Sequence, residues 1–172
     1  MNIAVQENQR NASSRNMADM SLLHWMQALQ FGDSTLPTGA FTFSHGLESA
    51  IERGLVKDAA SLHSFVKTAV EQAASGDAIA VLHACRAVHQ GDLQRLLEID
   101  RSVHNRKLNE EFRSMTVRTG KKLIELADKV VNASRDAALL SQWRAKVAAG
   151  ETYGTYPVCL AIIFTVLDIP EE

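Results

Sequence analysis

Gly32-Asp33-Ser34-Thr35-Leu36-Pro37-Thr38-Gly39 separates two stretches of helical pattern, and it contains every type of helix breaker. Asp33 and Ser34 form turns and caps by bonding nearby backbone. Pro37 fixes its own φ and pushes Leu36 out of helical conformation. Gly39 permits a left-handed backbone or a close approach. Just beyond lie Phe41 and Phe43, large apolar side chains beside a turn. Such a segment is either a rigid corner between two helices or a presented contact surface.

Outward from this corner the punctuation is helical in both directions. Upstream, Leu22, Leu23, Met26 and Leu29 make a helical stripe that Ser21 can cap and Gly32 ends. Downstream, a second helix is expected over Thr42 to Arg53, with Gly54 at C′. Asp58 or Ser61 caps a third, carrying Leu62, Phe65, Val66, Ala69 and Val70 and closed by Gly76. A fourth runs from Ala78 to Gln90 before Gly91, and a fifth opens at Asp92. Asn109 starts a sixth, whose acidic first turn (Glu110, Glu111) suits the helix dipole. Gly120 lies inside it, at about 1 kcal/mol relative to Ala, and marks a close packing or a break. Ser134 caps a seventh helix through Trp143, and Pro157 suits the start of a last one. Trp25 and Trp143 each lie within an apolar helical stripe and are expected to pack in the core. No strand alternation is long enough to found a sheet. The expected fold is all-α, a single-domain bundle of about eight helices with short loops, over residues 20–172. Residues 1–19 are polar and are expected to be disordered.

Composition narrows the function. The net charge is −2 with mixed signs along the chain, which does not make the basic footprint of a nucleic-acid binder. The run from Val158 to Leu167 is too short for a membrane span of about 20 residues and reads as a core helix. Cys85 and Cys159 form neither a CxxC pair nor a disulfide framework and fit a reducing cytoplasm. On a helix, Cys85 and His89 can share a ligand while His83 points away, so the set is incomplete for zinc or nickel. The bland reading is a buried Cys and a solvent-facing His. Ser44 and His45 are adjacent and cannot face each other on a helix, and no GxSxG elbow surrounds them. Capping explains Ser44 better. Gly120-Lys121-Lys122 lacks the Ser or Thr of a P-loop, and no strand precedes it. No catalytic residue, directly bound cofactor or metal ligand is assigned.

The segment Leu29 to Glu48 has a further property. It carries Asp33, Ser34, Pro37, Gly39, Phe41, Ser44, Gly46, Leu47 and Glu48 in the order Leu-x-x-x-Asp-Ser-x-x-Pro-x-Gly-x-Phe-x-x-Ser-x-Gly-Leu-Glu. This resembles the signature of the urease accessory protein F (UreF) family. Arg106-Lys107-Leu108-Asn109-Glu110-Glu111-Phe112-Arg113, running on to Gly120, resembles that family's central helix. Gly154-Thr155-Tyr156-Pro157-Val158 resembles its Gly-x-His/Tyr-Pro turn. The resemblance implies an all-helical protein that homodimerises and is not an enzyme. It implies an adaptor in urease maturation that docks on the UreD/UreH-type accessory protein bound to apo-urease. It also implies recruitment of the UreG-type GTPase, whose GTP use the adaptor modulates during nickel insertion. Nickel and GTP are then handled by the partner proteins, in the cytoplasm. A nickel-binding metallochaperone, or a helical module for another partner, is the alternative. The family continues beyond the point corresponding to Glu172, and that tail is expected to help bind the UreD/UreH-type partner.

Overall fold

A computed structural model describes residues 22–40, 42–130 and 137–169. The expected disorder of residues 1–19, the caps Ser21 and Ser134, and the motif residue Phe41 lie outside the described residues. The helices in order are α1 (Leu22–Gly32), α2 (Leu47–Glu52), α3 (Ala59–Ser75), α4 (Asp77–His89), α5 (Leu93–Arg106), α6 (Glu110–Val130), α7 (Ala137–Ala148) and α8 (Tyr156–Val166). Among the described residues there is no strand. Among the described residues, the expected count of about eight comes down to seven substantial helices, because α2 has only 6 residues.

The bundle is built around α8. It is apolar on every side, and Val158, Cys159, Ala161, Ile162 and Ile163 are all fully buried. A helix without a polar face must sit inside. α8 packs most extensively on α4 and α6 and also touches α5 and α7. Burying Val158, Ile162 and Ile163 supplies about 1.5–3 kcal/mol each. Trp143 of α7, Leu96 of α5 and Leu123 of α6 complete this core.

Local chemistry sets the starts of α3, α5 and α6 as expected. Asp58 caps α3: its carboxylate accepts the Ser61 N–H at 2.8 Å, and Ser61 Oγ accepts the Asp58 N–H at 3.1 Å, a reciprocal capping box. Asp92 caps α5 through the Arg95 N–H at 2.9 Å. Asn109 Oδ1 accepts the Phe112 N–H at 2.8 Å at the start of α6.

Three expectations are corrected. The second helix does not begin at Thr42. The Phe43 N–H bonds the Ala40 carbonyl, His45 and Gly46 are left-handed (φ 52 and 83), and only then does α2 start. Ser44 therefore shapes a turn, and Gly46 occupies the N-cap position without a side-chain bond. Trp25 is half-buried, not a core residue. Much of the apolar stripes of α1 and α3 faces outward: Leu22 is 77% exposed, and Met26, Leu29, Leu62, Val66 and Val70 are exposed too, while Phe65 and Ala69 are half-buried. Among the described side chains of α1, Phe31 reaches the core.

Candidate functional site

The motif residues do structural work in three places. In the α1–α2 loop, Asp33 Oδ1 accepts the Thr35 N–H at 2.7 Å and the Thr35 hydroxyl at 2.8 Å. Those bonds, the backbone one first, hold the Asp33 carboxyl below its ordinary pKa. The Asp33 carbonyl accepts the Leu36 N–H at 3.1 Å, so the turn closes on itself. Pro37 and Ser34 are exposed, Thr38 is buried, and Gly39 has φ 84, a conformation that favours glycine. Leu47 and Glu48 open α2, with Glu48 in the first turn, where an acid suits the dipole.

This loop meets α6 through aromatic rings. Phe43 lies edge-on to Phe112 with centroids 5.3 Å apart, and edge-on to His45 at 5.0 Å. His45 is thus a packing partner of two phenylalanines, and Ser44 makes no dyad with it.

At the α5–α6 turn, Arg113 is a clamp. Its Nε donates to the Lys107 carbonyl at 2.8 Å, Nη2 donates to the Leu108 carbonyl at 3.4 Å, and Nη1 reaches Glu110 at 3.3 Å. Lys107 is the C-cap of α5, so the guanidinium satisfies a carbonyl that the helix leaves open. Lys107 Nζ in turn donates to both carboxylate oxygens of Asp77 at 2.7 Å, tying the turn to α4.

The third place joins α5, α6 and the turn before α8. A Cβ on Gly120 would collide with the Gly154 carbonyl and lie 2.7 Å from the Thr155 carbonyl carbon. Gly120 therefore marks close packing and no break in α6. The same turn wraps a buried carboxylate. Asp100 Oδ1 accepts the Thr155 N–H at 2.8 Å and the Thr155 hydroxyl at 2.6 Å. Its Oδ2 accepts the Thr152 hydroxyl at 2.5 Å, the Tyr153 N–H at 2.8 Å and the Gly154 N–H at 2.9 Å. The Tyr156 N–H donates to Thr116 Oγ1 at 3.2 Å, and Pro157 sits buried in the first turn of α8. Burial raises the Tyr156 phenol above its ordinary pKa. Next to this turn the His104 and Tyr153 rings stack at 3.7 Å.

The sequence reading missed Asp100, Thr116 and the His104–Tyr153 stack. One signal was available: Asp100 falls within the stripe Leu96, Ile99, Val103 that α5 buries. A carboxylate on a buried face needs donors, and the Thr-rich turn 152–155 offers them.

His83 and His89 are exposed while Cys85 is buried, its thiol 3.8 Å from the Ala161 carbonyl. Cys159 is buried in the core, and burial pushes its thiol far above the ordinary value; the Asp100 charge pushes the same way and the Trp143 indole N–H opposes both. That N–H faces the thiol without completing a hydrogen bond. Among the described residues, no three His, Cys, Asp or Glu side chains are grouped to hold a metal ion. Nor is any described helix long and apolar enough to cross a membrane.

The family model for UreF matches residues 56–172, most of the chain. A urease accessory protein UreF of Yersinia pseudotuberculosis serotype IB is 48% identical over 147 residues, which is 86% of this chain and 63% of that protein. UreF of Yersinia pestis strain Pestoides F is 48% identical, and UreF of Yersinia enterocolitica serotype O:8 is 47% identical, each with the same coverage. The chain thus spans less than two thirds of the length of the relatives it matches. No solved structure matches it. The α5–α6 clamp and the Gly120–Gly154 contact both fall within the matched residues, and on that match the chain belongs to the UreF family of urease accessory proteins.

Proposed function

We propose that this chain is an adaptor in urease maturation. It bridges the UreD/UreH-type protein on apo-urease to the UreG-type GTPase and modulates GTP-dependent nickel insertion in the cytoplasm. Nickel and GTP are handled by those partners. The observation that carries the reading, beside family membership, is how the chain spends its apolar residues. Leu22, Met26 and Leu29 on α1, and Leu62, Val66 and Val70 on α3, stand exposed on regular helices. Contiguous exposed apolar surface marks contact with other proteins. The motif side chains meanwhile fix corners and helix ends, as a scaffold requires. Homodimerisation is part of the same reading and would cover some of that surface.

The test is reconstituted activation of apo-urease with nickel, GTP, the UreD/UreH-type protein and the UreG-type GTPase. Adding this protein should raise urease activity. Equal activity with and without it would sink the proposal. Tight stoichiometric nickel binding by the protein alone would instead favour a metallochaperone. Sedimentation of the purified chain as a monomer at working concentration would remove the dimer.

A further inference from the structure

We infer that the cleft between α4, α5 and the α5–α6 turn is a docking groove for a segment of a partner protein that carries an apolar side chain beside a carboxylate. The inference rests on the adaptor reading and adds a surface and a chemistry to it. The cleft has a volume of about 540 Å³. Its floor is apolar: Ile99 and Val103 are buried there, and Ala80 and Phe112 are half-buried. Most of the other lining residues are polar or charged, so a segment that fits this cleft offers both an apolar and a charged group.

Two apolar side chains stand at the rim, Ile79 at 43% and Leu108 at 95% exposure. Leu108 is unusual because its backbone is held. Arg113 binds the carbonyls of Lys107 and Leu108, and Lys107 is tied to Asp77. A loose turn is free to fold its leucine inward; this turn is pinned with the leucine outside. Its conformation needs no apolar residue, so the structure leaves a large apolar side chain in water at a fixed place. A backbone held before contact has less entropy to lose when a partner covers its side chain.

The charges in the cleft select the partner. Asp77 is paired with Lys107 at 2.7 Å, and Glu98 with Arg95 at 3.2 Å. Arg106 also lines the cleft and is exposed, and no described residue forms an ion pair with it. Both lining carboxylates are thus neutralised, and one guanidinium is left over. Its complement is a carboxylate, which Arg can grip with two parallel hydrogen bonds.

The test measures binding of the full chain to the purified UreD/UreH-type protein and, separately, to the purified UreG-type GTPase. The variants are Leu108→Ser, Arg106→Glu and Arg106→Lys. Leu108→Ser and Arg106→Glu should each weaken binding to one partner about tenfold or more, while Arg106→Lys, which keeps the charge but loses the fork, should weaken it by less than Arg106→Glu. Unchanged helical circular dichroism and unfolding midpoint would show that the fold is intact, as expected for exposed positions. Wild-type binding to neither partner would overturn the adaptor reading. Wild-type binding that both disruptive variants retain would overturn the groove alone. Loss of self-association in Leu108→Ser, with partner binding intact, would overturn it too, by making a second copy the occupant.

Discussion

Gly120 of α6 lies against the carbonyl of Gly154, with no room for a methyl group between them. Two glycines far apart in sequence thereby set how closely α6 approaches the start of α8, the helix at the centre of the bundle.

Gly120→Ala tests that contact, and two effects oppose each other. Alanine favours the helix by about 1 kcal/mol. The added Cβ meets backbone, which cannot swing aside as a side chain can, and overpacking costs about 1–3 kcal/mol or more. The clash wins, because the atoms it meets belong to the turn that Asp100 holds. Chemical denaturation should show Gly120→Ala less stable than wild type. A gain near the propensity value would show that α6 and α8 do not touch there.

Asp100→Asn should destabilise the protein by on the order of 3 kcal/mol. Both carboxylate oxygens accept backbone N–H groups, so either orientation of the amide sets its NH2 against a donor. Amide exchange at Tyr153, Gly154 and Thr155 should accelerate more than exchange in α3. Uniform acceleration would mean that the carboxylate does not anchor the turn.

Arg113→Lys keeps the charge but loses the fork that spans two carbonyls, and should cost ~1 kcal/mol. Proteolysis should then cut at the α5–α6 turn sooner than in wild type. An unchanged cleavage pattern would show that the clamp contributes little.

Alkaline pH should weaken the fold in a particular order. The folded thiol of Cys159 and phenol of Tyr156 have raised pKa values, mainly through burial. Each group therefore favours the folded state fully below its ordinary value, 9.0 for the thiol and 10.0 for the phenol. That contribution is lost as pH rises above those values. At the acid end the sign reverses. Asp33 and Asp58 have lowered values, so their small contribution disappears only as pH falls through the folded ones. Unfolding midpoints should fall above about pH 9, and thiol reagents should label Cys159 no faster than the protein opens. Rapid labelling of the native protein would contradict the burial.

The sequence showed the helical class, the caps at Asp58, Asp92 and Asn109, and the buried nature of α8, because each depends on neighbours within one turn or on one unbroken apolar run. It also showed that Gly120 was special, but not why: the answer lies in Gly154, which only the packed fold brings near. The exposed stripes of α1 and α3 look like core stripes in sequence, since periodicity reports that a face is apolar and not what covers it. Asp100 escaped notice for the opposite reason, as a charged residue whose donors come from a turn some fifty positions away. The motif 33–48 was legible as a corner, yet its length as a helix was overestimated, because left-handed His45 is not a position where sequence announces a break.

The most direct test of the adaptor claim is size-exclusion chromatography with light scattering on three purified proteins: this chain in full, the UreD/UreH-type protein and the UreG-type GTPase. The account predicts one complex containing all three, which separates when this chain is omitted. Co-elution of the other two without it, or failure of the chain to bind either, would contradict the account.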